Sequence, residues 1–172
     1  MIYLDSAATS LQKPPEISRA VVRAMQSCAS PGRGDHAAAM RAAETVYSCR
    51  EEAAALFHMT RPENVVFTMN ATHALNIAVH SLVHEGMRVA VSGFEHNAVM
   101  RPLYASGAEI ISSDTPLFDS DALISWFERY LPVCGAAVCT CVSNVFGFIL
   151  PIREIAVLCQ RYGVPLIVDA SQ

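Results

Sequence analysis

Five short apolar runs, separated by four stretches of helical periodicity, constrain this 172-residue chain more than any other feature. The runs are Val65 to Thr68, Val89 to Ser92, Glu109 to Ser112, Ala136 to Val142 and Leu166 to Val168. The segments between them, Ala71 to Val83, Ala98 to Tyr104, Ala122 to Tyr130 and Ile152 to Arg161, read as helices. Such alternation predicts an α/β fold with a mainly parallel sheet flanked by helices, because parallel neighbours must be joined by a crossover and a helix is the usual one. Ahead of this block, Pro14 and Pro15 open a helix whose apolar stripe is Ile17, Val21, Val22 and Met25. Ser30-Pro31-Gly32-Arg33-Gly34 breaks it, and an alanine-rich helix is predicted from about His36 to Phe57.

Composition removes several classes of function. At 52% hydrophobic residues the chain supports a substantial core, and a net charge of -4 without a run of lysine or arginine offers no footprint for nucleic acid or an anionic membrane. No apolar segment reaches the roughly 20 residues of a membrane span, and the amino terminus does not read as a leader, so the expected location is cytoplasmic. The six cysteines are expected to be free thiols. Cys28, Cys49 and Cys159 fall in helical stretches as small buried side chains, while Cys139 and Cys141 alternate on one strand face. Two metal readings, Cys134 with Cys139 and Cys141, and His80 with His84 beside His73, lack a complete ligand set, and solvated or buried packing roles are simpler.

In a parallel sheet, ligands bind beyond the carboxyl ends of the strands. Four of the five runs are followed there by polar clusters: Asn70-Ala71-Thr72-His73, Glu95-His96-Asn97, Ser143-Asn144, and Asp169 with Gln172. The first opens a helix, where free N–H groups and the Thr72 hydroxyl suit an anion such as phosphate, although Asn70 or Thr72 also reads as an ordinary cap. His96 offers a flat ring for stacking or proton exchange. Asp169 ends an apolar run and needs a compensating positive charge or several donors, and a protonated heteroaromatic nitrogen would supply the charge. Phosphate donors, a stacking ring, an acid for a pyridinium nitrogen and amides for a ring oxygen together describe pyridoxal 5'-phosphate (PLP).

The residues also carry a resemblance. Tyr3 to Thr9, Ser30 to Arg33, Val66 to Thr72, Glu95-His96-Asn97, Ser143-Asn144-Val145 with Gly147, and Val168 to Gln172, in that order, resemble the class V aminotransferase family, specifically its cysteine desulfurase branch. The resemblance implies the large domain of a PLP-dependent transferase of fold type I, here an amino-terminal arm plus part of the PLP-binding domain over residues 1–172. It further implies that Ala71, Thr72 and His73 lie at the cofactor phosphate, that His96 stacks on the ring as the catalytic residue, and that Asn144 lies near ring and substrate. Asp169 would pair with the ring nitrogen and Gln172 with the ring hydroxyl oxygen. The implied activity converts L-cysteine to L-alanine, a protein thiolate taking the sulfur as a persulfide that passes to an acceptor protein. A homodimer is implied as well.

Departures accompany the matches. His73 stands where family members often carry glutamate, Ser6 where they often carry asparagine, and Phe146 where threonine is common. Lys13 is the one lysine. The family's Schiff-base lysine, sulfur-accepting cysteine and carboxylate-binding arginine are expected downstream of Gln172, so the chain is read as a truncated one, inactive alone. Two consequences are expected: Val65 to Thr68 lacks a sheet neighbour while Leu166 to Val168 forms an open edge, and the phosphate-binding helix is displaced or loosely packed. Alternative readings are a selenocysteine lyase, another class V transaminase, or a non-catalytic remnant. A nicotinamide-dependent oxidoreductase is disfavoured, because no Gly-x-Gly-x-x-Gly follows a strand.

Overall fold

A computed structural model of the chain describes residues 2–6 and 8–172; Ala7 of the amino-terminal motif lies outside the described residues. The chain divides into two compact units, Met1–Phe67 and Thr68–Gln172. The first unit holds helices α1 (Pro15–Ser27) and α2 (Ala37–Leu56). Pro15 starts α1 at a position whose N–H has no intrahelical acceptor, and the His36 ring caps α2 by accepting the Ala39 N–H. The predicted apolar stripe of α1 is present but uncovered: no residue of that helix is buried.

The second unit runs α3 (Ala71–Leu82), β1 (Arg88–Val91), α4 (Asn97–Ala105), β2 (Glu109–Ser112), α5 (Ser120–Tyr130), β3 (Ala136–Thr140), α6 (Ile152–Tyr162) and β4 (Leu166–Asp169). Its four strands pair parallel in the order β2-β1-β3-β4. Register is set by period-two alternation. Val89 and Val91 of β1 and Ala136 and Val138 of β3 face Leu75 and Val79 of α3 and Val99 and Leu103 of α4. Ala90, Ala137 and Cys139 point the other way, into a core with Leu123 and Phe127 of α5 and Ile155 and Leu158 of α6. A strand buried on both faces must be apolar throughout, and β3 is buried at every position.

Local signals fix the helix ends. The Asp119 carboxylate caps α5 by accepting the Ala122 N–H at 2.9 Å. Gly163 ends α6 in the left-handed conformation, φ 67°, and the Val164 N–H reaches back to the Cys159 carbonyl at 2.9 Å, as a helix stop of this kind requires.

Two expectations are corrected. Val65 to Thr68 forms no strand: none of the four strands bonds to it, Val66 and Phe67 are exposed, and an apolar run without a ladder partner has nothing to hold strand geometry. The helix α3 is neither displaced nor loose, since Leu75 and Val79 bury it against α4 and the sheet. The expected open edge is there, in β4, with Val168 at its margin. Of the helical cysteines expected to be buried, Cys159 is, Cys28 is only part-buried and Cys49 is exposed.

Candidate cofactor site

The strand order creates the site. From β1 the chain passes to β2 on one side, then returns across β1 to β3 on the other, so the loops leaving β1 and β3 diverge and open a crevice at their carboxyl ends. A cavity of about 180 Å³ lies there, and Ala71, Thr72, His96, Asn144, Asp169 and Gln172 all line it. An open groove of about 450 Å³ shares Thr72, His96 and Ala98 with this cavity and continues along α3 and α4 past Arg101.

Thr72 sits in the first turn of α3. Asn70 caps that helix, its Oδ1 accepting the His73 N–H at 2.8 Å, and the Asn70 carbonyl accepts from Ala74. Capping and anion binding are therefore not alternatives. Asn70 uses one N–H of the first turn, while the Ala71 and Thr72 amides and the Thr72 hydroxyl have no acceptor among the described residues. Three free donors at a helix amino terminus are what a phosphate requires. His73 is the one predicted site residue that does not line the cavity; its amide is committed to Asn70 and its side chain is exposed.

His96 caps α4. Its Nδ1 accepts the Ala98 N–H at 3.1 Å, which leaves Nε2 to carry the proton of the neutral ring. Asn144 is presented by a tight turn in which the Gly147 N–H donates to the Ser143 carbonyl at 2.8 Å and the Phe146 N–H to the Ser143 hydroxyl. Gly147, at φ 68°, closes that turn. Phe146, the departure from the family pattern, packs edge-on to Phe94 with ring centroids 6.4 Å apart, and Phe94 packs on Phe148. The loops bearing Asn144 and His96 are thus joined through an aromatic contact.

Asp169 ends β4 and is 6% exposed. Its Oδ1 accepts both the N–H and the hydroxyl of Ser171, Oδ2 accepts from no described residue, and no cation lies in salt-bridge range. A buried carboxylate with one oxygen tied and the other free, lining a cavity, is built for a cationic donor entering that cavity. This meets the requirement of a protonated pyridine nitrogen, and the free donors on α3 meet that of a phosphate, so the residues fit PLP.

Sequence reading missed Ser171, Leu75, Ala98, Thr140 and Val142 in the lining. The Asp-x-Ser spacing of a side-chain turn was a usable signal for Ser171; the other four are ordinary residues whose place depends on packing. It also left Glu95 without a role. Burial raises the Glu95 carboxyl above the usual carboxylate range although three donors favour its ionised form. Burial, then the neighbouring Glu95 charge, raise the thiol of Cys139, and burial pushes that of Cys159 up to about 11. Neither lysine nor cysteine lines the cavity, and no three potential metal ligands converge among the described residues. No described helix is long and apolar enough to cross a membrane.

Fold and rim define an α/β domain with a cavity at a topological switch point. The chain belongs to the aminotransferase class-V family, which it matches over residues 2–172. It is 31% identical to a probable cysteine desulfurase of Chlamydia muridarum, covering 99% of this chain and 44% of that protein. It is 30% identical to a probable cysteine desulfurase of Halalkalibacterium halodurans, covering 100% and 44%. The apo structure of the cysteine desulfurase from Thermococcus onnurineus NA1 superposes with a TM-score of 0.86 at 23% identity, covering 98% of this chain and 44% of that one, and shares its fold. The chain thus spans less than half the length of the relatives it matches. Class V aminotransferases depend on PLP, and one structural neighbour, C-DES, was solved with glycine covalently linked to its PLP cofactor.

Proposed function

We propose that this chain holds PLP at the switch-point cavity and serves a cysteine desulfurase reaction, converting L-cysteine to L-alanine and a protein-bound persulfide. The observation that carries the reading is Asp169, a buried acid that lines the cavity, with no cation among the described residues in salt-bridge range and no described donor to its Oδ2. PLP, when bound, supplies an electron sink for the loss of the substrate Cα proton. The chain's own residues do the rest. Asp169 keeps a proton on the ring nitrogen, the Ala71 and Thr72 amides and the Thr72 hydroxyl donate to the phosphate, and Gln172 donates to the ring hydroxyl oxygen. His96 would stack on the ring with Nε2 free to donate, and Asn144 would be at hand for the substrate amino acid.

The cavity has neither lysine nor cysteine, so the amine that would anchor the cofactor and the thiolate that would take sulfur come from outside its lining. The same observation favours a second reading, a domain that holds the cofactor without chemistry of its own. Selenocysteine lyase and class V transaminase activities share the holding residues. Cytoplasmic residence belongs to the proposal through the sequence reading, and a homodimeric state and a sulfur-acceptor protein through the family resemblance.

Equilibrium dialysis of the purified chain against PLP tests the holding step. Saturable one-site binding, weakened at least tenfold in Asp169→Ala, is expected. No saturable binding, or equal binding by the variant, contradicts it. Alanine release from added cysteine separates the catalytic reading from the holding one, and selenocysteine or a transamination pair in place of cysteine separates the rest.

A further inference from the structure

The turn that leaves β1 is held by a side chain with no direct part in the cavity. Glu95 folds back over the strand end: its Oε1 accepts the N–H of Ser92 at 3.0 Å and the Ser92 hydroxyl, and its Oε2 accepts the N–H of Gly93 at 2.8 Å. The Ser92 hydroxyl oxygen in turn accepts the Phe94 N–H at 3.3 Å. Two backbone donors of the turn, the Ser92 and Gly93 N–H groups, therefore end on one carboxylate. Gly93 has φ 87°, and a Cβ there would come 2.6 Å from the Ser113 carbonyl oxygen, so the backbone is pressed against the loop after β2. The next residue after this clamp is His96, whose ring is locked in turn by the Ala98 N–H.

We propose that Glu95 is the positioning residue for His96, fixing the Ser92–Glu95 turn so that the imidazole is set at the cavity before a ligand arrives. The residue type follows from the geometry. Two N–H groups and a hydroxyl converge on two oxygens, which a carboxylate accepts on both sides. A glutamine keeps one accepting oxygen and turns an NH₂ on the remaining donor; an alanine leaves the two amides and the hydroxyl to find water. Around the carboxylate, Ser92 of the turn and the Cys139 thiol of β3 are the groups that face it, and neither brings a positive charge. Burial keeps the clamp dry, which strengthens its hydrogen bonds and makes them costly to lose. Pre-setting a ring in this way raises affinity by removing the cost of ordering it on binding.

The PLP readout of this inference rests on the cofactor reading, so the test has two arms. The first uses the free 172-residue chain and ¹⁵N spectra of its histidine rings. In wild type, His96 shows Nδ1 as acceptor and Nε2 protonated; in Glu95→Gln and Glu95→Ala that signature is lost to a mixture of tautomers, with the glutamine variant intermediate. A His96 spectrum unchanged in both variants overturns the proposal, whether or not the chain binds PLP. The second arm is a double-mutant cycle on PLP affinity. Glu95→Ala is expected to weaken PLP about tenfold in the wild-type background and not at all in His96→Ala. An equal loss in both backgrounds means that Glu95 does not act through His96. Where Glu95→Ala does not fold, Glu95→Gln carries the same cycle with a smaller loss. Absence of PLP binding by wild type would count against the cofactor reading alone, the ring spectra still deciding the role of Glu95.

Discussion

The two units of this chain have similar amphipathic sequences and unlike interiors. Among the described residues of Met1–Phe67 the buried apolar ones are three alanines of α2, Ala39, Ala42 and Ala54, while Ile17, Val21 and Val22 on α1 stay about half exposed. In Thr68–Gln172 the helices α3 and α4 cover one face of the sheet and α5 and α6 the other, and Val79, Leu103, Phe127 and Ile155 are fully buried. An apolar stripe becomes a core only when a second surface of the right shape meets it; the sheet is that surface in the second unit. The proposed cofactor rim stands on the unit with the core, and this is what lets loops hold side chains at set distances.

Substitutions sharpen the contrast. Phe127→Ala, at the centre of the α5–α6 side, is expected to cost about 3–5 kcal/mol in denaturant unfolding; a loss below 1 kcal/mol would deny the second unit its core. Next in size, Asn70→Ala removes the cap of α3 and is expected to cost about 1 kcal/mol, with earlier hydrogen exchange at His73 and little change on α5. Glu95 gives a gentler effect of known sign. Its folded carboxyl binds a proton more tightly than the unfolded one, so its contribution to stability is full below about 4.5 and is lost as pH rises through the raised folded value. Thermal unfolding of Glu95→Gln should lack that slope, and a slope equal to wild type would break the assignment. The smallest effect is expected in the first unit, where Val21→Ala on the uncovered face of α1 should change stability by less than about 0.5 kcal/mol.

Much of the second unit could be read from sequence, for reasons visible in single residues. Strands such as Ala136 to Thr140 are apolar at every position because both faces are covered, and Pro151, Gly163 and Asp119 mark helix ends by their own stereochemistry. Six of the seven proposed cofactor residues line one cavity because each follows a strand or opens a helix at the same sheet edge, a placement that topology alone enforces. His73 does not line the cavity, because the Asn70 cap takes its amide and its side chain is exposed. Val65 to Thr68 forms no strand because a strand is a property of a pair, and the missing sheet neighbour, itself expected, leaves this apolar run without a ladder. Glu95 was passed over for a similar reason: its three donors are two and three residues away, and only the folded turn brings them together.

The central claim is that the rim at the ends of β1, β3 and β4, with the amino terminus of α3, is a PLP site. Amide and side-chain NMR shifts of the labelled chain, followed as PLP is added, test it most directly. The account predicts saturable shifts at Ala71, Thr72, His96, Asn144, Asp169 and Gln172, with none on α1 and no borohydride-stable adduct at Lys13. Shifts centred on Lys13 and α1, with the rim unmoved, would contradict it.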